Sequence, residues 1–186
     1  MNARLPKLFF AVALAAVSGC AAYRWTSDVP QHLRTVAVPT FENRTMSAEL
    51  GPIVTQYVLR EFQREGTFKI KRTGDSAIEV QGALVKATRG GLAFDRGHGY
   101  RASEYFYRVT AEVNFVNKKS GKVFLTRKYN VETTFLTQDD LLTGQRNAAP
   151  RIGQEIARQV VDDAVSFDYD ADLPEGATGE VEGAQK

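Results

Sequence analysis

The sequence predicts an α+β fold in which two amphipathic helices pack on one face of a mostly antiparallel sheet of four or five strands. Apolar residues alternate with polar ones over residues 105–115 and again over 123–135, which is typical of strands that bury one face. Apolar residues also recur at three- and four-residue intervals over 53–62 and 152–167, which is typical of amphipathic helices. Because a half-apolar sheet needs a covering layer, these patterns predict a two-layer sandwich.

The first half of this fold reads as strand, helix and strand. An apolar strand over residues 35–38 ends at Pro39, and a turn follows over 41–45. The first helix starts either with Ser47 as its N-cap or, more favourably, at Gly51–Pro52, and Gly66 ends it. Short strands are expected over 68–70 and 78–84. Because a helix follows the first strand, that strand can pair in parallel with a neighbour.

The second half is a long hairpin and a helix. The two alternating strands flank a turn over residues 117–122, and the segment from Arg89 to Arg101 is predicted to be a glycine-rich loop. Asn147 and Pro150 are expected to open the last helix, which runs to Phe167. Phe106 lies on the opposite strand face from Tyr105 and Tyr107, so it is either a partner contact or ordinary surface.

The N-terminus has the features of a secretory signal. Arg4 and Lys7 precede the ten apolar residues Leu8–Val17, which are about half of what a membrane-spanning helix needs. The run ends in Val17-Ser18-Gly19-Cys20, which resembles the bacterial lipobox. The resemblance implies that Cys20 receives a diacylglycerol and becomes the first residue of the mature protein. The alternatives are an ordinary signal with a chance cysteine and an uncleaved anchor.

Composition divides the chain into four parts. Residues 1–19 are the predicted signal peptide, 20–33 a lipidated tether, 34–167 the folded domain and 168–186 a disordered acidic tail. The tail has six acidic residues and one base, and it nearly lacks large apolar side chains. Residues 20–167 carry 21 basic and 16 acidic residues, a net charge of +5.

The residue inventory argues against metal, cofactor and enzyme chemistry. Cys20 is the single cysteine, and His32 and His98 are the two histidines, so neither a disulfide nor a zinc centre is expected. Asp95 and His98 could form a base–orienter pair, but no nucleophile motif accompanies them. The sequence therefore predicts no catalytic residues, no metal and no cofactor.

Three motifs resemble one family. "TVAVPTFENRT", "YRVTAEVNF" and "SGKVF", between the lipobox and the final amphipathic helix, resemble the LptE-like lipopolysaccharide-assembly lipoproteins over about residues 20–167. The resemblance implies a lipid-anchored protein on the periplasmic face of the outer membrane. Such a protein plugs the lumen of the LptD β-barrel translocon, helps that barrel assemble and contacts lipopolysaccharide. Ala21, by resemblance to enterobacterial sorting, also favours the outer membrane.

Two features of the chain depart from this family, and one motif is shared with others. The glycine-rich segment 89–105 and the acidic tail match no family motif. "FENRT" also occurs in curli-secretion-like lipoproteins and in activators of penicillin-binding proteins. A regulatory envelope lipoprotein that activates a periplasmic enzyme is therefore the alternative function.

A concentration of basic residues is the candidate binding surface. Ten bases and three acids lie between residues 86 and 128. Phosphates and acidic sugars of lipopolysaccharide are natural partners of Arg and Lys. The alternative is a solvated basic face without a ligand, and export makes nucleic acid an improbable partner. The candidate lipopolysaccharide or partner contacts are Lys86, Arg89, Arg96, Arg101, Lys118, Lys119 and Lys122.

Overall fold

The protein is an α+β sandwich in a computed structural model that describes residues 29–94, 102–136 and 140–169. A 3₁₀ turn over Gln31–Leu33 precedes the first strand. The strands in these ranges are β1 (Thr35–Ala37), β2 (Glu42–Asn43), β3 (Lys69–Ile70), β4 (Ile78–Phe94), β5 (Ala102–Asn117) and β6 (Val123–Leu136). The helices are α1 (Leu50–Glu65), between β2 and β3, and α2 (Leu141–Ser166), after β6.

The six strands form one mixed sheet in the order β3-β1-β4-β5-β6, with β2 also paired to β4. The long strands β4, β5 and β6 pair antiparallel. The short strand β1 pairs in parallel with β3 and β4, and β2 pairs in parallel with β4. The α+β prediction is confirmed, but the sheet is mixed and has six strands. The parallel pairs arise because the α1 crossover returns the chain in its original direction.

The core lies between the helices and one face of the sheet. Its central side chains have no access to solvent, and removing one such side chain from water stabilises the fold by about 1.5–3 kcal/mol. The helices supply Val54, Val58, Phe62, Ile152, Ile156 and Val160, and the strands supply Val80, Leu84, Val109, Val113 and Phe115. Gly66 adopts a left-handed conformation with φ of 86° and ends α1, as predicted.

Polar cross-strand pairs occupy the other face of the sheet. Lys128 Nζ lies 3.0 Å from Glu112 Oε1, and Thr110 Oγ1 donates a hydrogen bond to Asn130 Oδ1 at 2.8 Å. Arg108 also pairs with Glu132 through its Nε, at 2.8 Å from Oε2. We call this the polar face. Because its side chains satisfy one another across the strands, it needs no second layer of helices.

The first six residues of the predicted glycine-rich loop are strand, and residues 95–101 lie outside the described residues. β4 continues through Phe94 and β5 begins at Ala102, so Arg89 is a strand residue and the prediction of a loop from residue 89 was wrong. Gly90 pairs with Phe106, and a Cβ atom at Gly90 would lie 2.5 Å from the Phe106 ring. The ring covers the glycine, so a cross-strand contact compensates for its weak strand preference.

The start of the second helix also differs from the prediction. α2 begins at Leu141, and Pro150 lies inside it rather than at its start. Asp140 caps the helix by accepting hydrogen bonds from the backbone N–H groups of Leu142 and Thr143, at 3.2 and 2.9 Å. These bonds satisfy free donors at the first turn, so helix formation starts well before the proline.

Both ends of the folded body reach beyond the predicted domain limits. Val29, in the predicted tether, is buried, and its carbonyl accepts a hydrogen bond from Arg34 Nε at 2.9 Å. Tyr169, in the predicted acidic tail, is also buried and donates its hydroxyl to the Ala164 carbonyl at 2.8 Å. The remainder of the tail, residues 170–186, lies outside the described residues, as do the signal peptide and Cys20.

Candidate functional site

A cleft of about 490 Å³ lies where both helices begin. We call it the N-terminal cleft. Its walls are the Met46–Glu49 segment before α1, residues 87–89 of β4, Tyr107 of β5 and three residues in the first turns of α2. The last of these are Leu142, Gln145 and Arg146. Four separate chain segments therefore meet at one end of the sandwich.

A hydrogen-bond network joins these four segments. Arg89 Nη1 donates to the side-chain carbonyl oxygen of Gln145, whose Nε2 donates to Ser47 Oγ at 2.8 Å. The hydroxyl of Tyr107 also donates to Ser47 Oγ, at 3.2 Å. Gln145 and Tyr107 are buried, whereas Arg89 is exposed. Buried partners therefore anchor the guanidinium while it remains open to solvent.

The "FENRT" motif builds the loop that carries Ser47 into the cleft. Asn43 Oδ1 accepts hydrogen bonds from the backbone N–H and the hydroxyl of Thr45, at 3.0 and 2.7 Å. Asn43 Nδ2 donates to the Ser47 carbonyl at 2.7 Å. The Phe41 backbone N–H donates to Thr55 Oγ1 at 2.9 Å and ties the start of the motif to α1. Because Asn43 bonds residues on both sides of Met46, its amide sets the conformation of this loop.

The cleft combines positive charge with exposed apolar side chains. Arg146 Nε approaches Glu49 Oε1 at 3.9 Å, so its charge is only loosely paired, and Arg89 has no carboxylate partner among the described residues. Met46 is fully exposed and Leu142 is 59% exposed. Leu92 and Leu136, at the ends of β4 and β6, are also exposed at this end of the sheet. The surface therefore offers contacts for an anionic group and for an apolar chain side by side.

The structure separates the predicted basic residues instead of clustering them. Arg89 pairs with Tyr107 on the helix-covered face, whereas Lys86 pairs with Thr110 on the polar face, because an irregularity between Leu84 and Lys86 shifts the register. The turn Lys118–Lys122 follows β5 at the other end of the sheet. Ten strand residues separate Tyr107, the partner of Arg89, from the end of β5, so the turn lies about 30 Å from Arg89. Arg96, Arg101, Asp95 and His98 lie outside the described residues.

The far turn is held by a buried carboxylate. Glu79 is only 5% exposed, and its Oε2 lies 3.1 Å from Lys118 Nζ, an ion pair whose geometry falls short of a hydrogen bond. Gln81 Nε2 donates to Glu79 Oε1 at 2.6 Å. Burial alone would raise the pKa of Glu79, but Gln81 and the Lys118 ammonium outweigh it and hold the pKa below its usual value. Lys119 and Lys122 are fully on the surface.

Sequence reasoning missed most of the cleft. Gln145 and Arg146 fell before the predicted start of the last helix at Asn147 and Pro150, and Ser47 was considered only as a helix cap. Asp140, followed by Leu141, Ala148 and Ile152 at helical spacing, was the signal for an earlier helix start. The contacts among Ser47, Tyr107 and Gln145 join residues up to 98 positions apart, and no local pattern reports them.

The described part of the chain has neither a membrane-spanning helix nor a metal-binding cluster. Neither α1 nor α2 is long and apolar enough to cross a membrane. In residues 29–94, 102–136 and 140–169, no group of His, Cys, Asp and Glu side chains is arranged to hold a metal ion.

Solved structures with the same fold include two bacterial proteins. A candidate lipoprotein from Caulobacter crescentus CB15 has a TM-score of 0.52 at 14% identity and covers 72% of this chain and 90% of its own. A protein from Xanthomonas campestris has a TM-score of 0.50 at 11% identity, covering 72% and 83%. At these identities the similarities show a shared fold alone.

The sequence comparison identifies the family. No curated protein sequence matches this chain. The family model described as "LptE: Lipopolysaccharide-assembly" matches residues 33–166, which is most of the chain and includes both helices and β1 to β6. The chain therefore belongs to the LptE lipopolysaccharide-assembly family.

Proposed function

We propose that this protein is an outer-membrane lipoprotein, anchored through Cys20, that plugs an LptD-type β-barrel and contacts lipopolysaccharide during its insertion. Membership of the lipopolysaccharide-assembly family and the lipobox-like Val17–Cys20 support the proposal. The alternative, a lipoprotein that activates a periplasmic enzyme, is not favoured by this family. Co-purification from solubilised outer membrane separates the two functions, because the first predicts a barrel and the second a cell-wall synthase.

The observation that carries the glycolipid contact is the position of Arg89 in the N-terminal cleft. Lipopolysaccharide presents phosphates next to acyl chains. The cleft presents an anchored guanidinium near the exposed side chains of Met46 and Leu142. A guanidinium can hold a phosphate through two hydrogen bonds, and fixing it through Gln145 reduces the side-chain entropy that binding would cost.

The polar face supports the barrel contact. The lumen wall of a large outer-membrane barrel is polar, so a plug needs polar side chains opposite it. Lys128, Asn130 and Glu132 of β6 supply such a surface. Because the charged and polar side chains of this face are paired with one another across the strands, the face can contact a hydrated lumen wall without leaving charges unpaired.

The glycolipid contact is tested by Arg89→Gln beside its matched control Lys86→Gln. Both residues are exposed bases on β4, but they lie on opposite faces, so the two variants remove the same charge from the cleft and from the polar face. We expect Arg89→Gln to weaken binding of labelled lipopolysaccharide by a factor of about 10 to 100, because a charged hydrogen bond contributes about 1.5–3 kcal/mol. Lys86→Gln should have little effect. Equal losses in both variants would contradict a specific site in the cleft.

The barrel contact is tested by photo-crosslinking in cells. A photoreactive residue in place of Asn130, on the polar face, should crosslink to the barrel, which is detected with a barrel-specific antibody. The same residue in place of Gln63, exposed on α1, provides a control on the opposite side of the body. A barrel crosslink from position 63 and none from position 130 would show that the polar face is not the contact.

The anchor is tested by Cys20→Ala. Stable membrane attachment needs more than one acyl chain, at about 0.8 kcal/mol for each buried methylene. The variant should leave the membrane fraction and fail to incorporate labelled fatty acid. Wild-type protein that incorporates no lipid label would contradict the assignment of Cys20.

A further inference from the structure

We infer that two copies of this chain pair antiparallel through β6, about a two-fold axis at Asn130, so that their sheets join into one. The inference goes beyond the proposed function and does not depend on it. We call the side of β6 that faces away from β5 the free edge. Among the described residues, β6 pairs with β5 alone, and no backbone hydrogen bond from the free edge reaches any of them.

The two edges of the sheet differ in what they offer to a further strand. β3, at one edge, is only two residues long, and so short a strand gives a partner little to pair with. β6, at the other edge, has 14 residues and contains neither proline nor glycine. Its pairing with β5 is irregular only near its start, so it is regular from Leu125 to Leu136. A long, regular edge is the kind that accepts another strand.

A groove of about 400 Å³ runs beside the free edge and provides room for that strand. Four consecutive residues of β6, Asn130–Thr133, form one wall, and Arg151, Glu155 and Gln159 of α2 form the other. Because successive strand residues point to opposite faces of a sheet, four in a row line a groove that follows the edge of the strand. The backbone of this segment is therefore open to a partner strand.

The polar face of β6 is complementary to itself in one antiparallel register. With Asn130 opposite Asn130 of the second copy, Lys128 lies opposite Glu132, and Thr126 lies opposite Thr134. The two-fold axis makes each of the last two pairs occur twice. All five side chains are exposed in the single chain, so they are free to form these pairs. Opposite charges and paired threonines across strands both stabilise a sheet.

The same register also matches the helix-covered face. Leu125 lies opposite Phe135, and Tyr129 lies opposite Val131, so buried apolar side chains extend the core of each copy toward the other. A slip of one residue would turn polar side chains toward the helices of the partner.

Larger slips lose the charge complementarity. A slip of two residues places Lys128 opposite Asn130 or Thr134, and neither carries a charge. A slip of four residues places either Lys128 or Glu132 opposite its own copy, which brings like charges together. Like charges directly opposite each other destabilise a sheet, so the register centred on Asn130 is favoured.

Pairing would extend two rows of charge that already cross the hairpin. Within one copy, Glu112 lies opposite Lys128, and Arg108 lies opposite Glu132. In the joined sheet, each row would run Glu112, Lys128, Glu132 and Arg108 across four strands, with the sign alternating at every step. Each charged residue of the free edge would then have an opposite charge on both sides.

Two charge reversals test the pairing, with the chain from residue 20 carrying Cys20→Ala. Lys128→Glu makes both edge charges acidic, and Glu132→Lys makes both basic. Because a strand pair buries little surface, we expect micromolar self-association of the wild-type sequence. Each reversal alone should weaken it about ten-fold in sedimentation velocity. An equimolar mixture should associate more tightly than either variant, because every opposed pair then has opposite signs.

The matched control is Lys86→Glu, the same change of charge on the same face but on β4, which is not at an edge. It should leave the dissociation constant unchanged. A wild-type sequence that stays monomeric up to about 1 mM would overturn the proposal and leave the free edge to a strand of another protein. A mixture that associates no better than its components, while circular dichroism shows both folded, would also overturn it.

A cysteine at the two-fold axis tests the register. Asn130→Cys, again with Cys20→Ala, places two thiols directly opposite each other, within the Cα separation of about 4.4–6.8 Å that a disulfide spans. Thr126→Cys is the control, since its copy would lie eight residues along the strand, about 27 Å away. Mild oxidation should link the first variant and not the second in non-reducing electrophoresis. Linking at both positions, or none at position 130, would overturn the proposal without bearing on lipopolysaccharide binding in the N-terminal cleft.

Discussion

The two ends of the β4–β5 hairpin carry similar charge but hold it in different ways. At the N-terminal cleft, Arg89 is bonded to buried Gln145, which donates to Ser47, and the Tyr107 hydroxyl donates to the same Ser47 oxygen. At the turn Lys118–Lys122, the side chains of Lys119 and Lys122 are exposed to solvent. Contacts between distant chain segments orient the Arg89 guanidinium, whereas only the local backbone of the turn positions the two lysines. Equal charge therefore does not make equal binding sites, because only the cleft fixes a direction for its cation.

The largest expected effect comes from removing the buried side of the cleft. Tyr107→Ala deletes a ring that is 2% exposed and should lower the free energy of unfolding by about 3–5 kcal/mol, since large-to-small changes leave a cavity. Phe106→Ala, one residue away on the polar face and only half-buried, should cost clearly less. Urea denaturation measures both variants. Equal losses would mean that the cleft end is no more tightly packed than the opposite face.

A smaller effect is expected from the motif that supports the cleft loop. Asn43→Ala removes bonds to Thr45 and Ser47 and should cost about 1–3 kcal/mol. The side chain does not titrate, so the loss should be the same at about pH 7 and about pH 3. Chemical denaturation at both pH values checks this, and lipopolysaccharide binding should weaken as the loop loosens. A variant with full stability would show that Asn43 does not organise the loop.

The turn end should respond to pH where the bonds of Asn43 do not. The pKa of Glu79 is lowered in the folded protein from 4.5, so its contribution is present above that value and is lost as the pH falls through the lowered pKa. Glu79→Gln should cost about 1 kcal/mol at neutral pH, and the difference from wild type should shrink toward about pH 3. Unfolding curves across this range measure it. A pH-independent difference would mean that the charge of Glu79 does not hold Lys118.

The smallest effect is expected from the exposed lysines. The double change Lys119→Ala/Lys122→Ala should alter the free energy of unfolding by less than about 0.5 kcal/mol, because neither side chain is buried or paired within the described residues. Thermal unfolding beside wild type is the measurement. A loss well above this range would mean that the lysines contribute to the fold and are not a free surface.

Several parts of the molecule were predictable because their signals are local. The alternation in β5 and β6, the apolar spacing in both helices and the left-handed stop at Gly66 each depend on neighbours along the chain. The family resemblance was confirmed by the match to residues 33–166. The prediction for Cys20 stays a prediction, since that residue lies outside the described ranges.

Other predictions failed because the deciding contact lies elsewhere in the chain. Gly90 and Gly91 favoured a loop, but the Phe106 ring across the hairpin makes the strand acceptable. Pro150 suggested a helix start, yet the cap at Asp140 starts the helix at Leu141, about two and a half turns earlier. The candidate bases looked like one surface because they are close in sequence, although strand pairing carries Arg89 and Lys118 about 30 Å apart.

Residue types and their spacing along the chain were enough to predict the two-layer class, the order of the long elements, the lipobox-like start and the excess of basic over acidic residues in the domain. These properties follow from residue type and from periods of two and 3.6, which act over a few residues. Long-range contacts set the order of the six strands and bring Arg89 to Gln145, Ser47 and Tyr107 at one end. They also turn Lys86 away from that site. Those outcomes depend on strand register and helix placement, and a shift of one residue moves a side chain to the opposite face of the sheet.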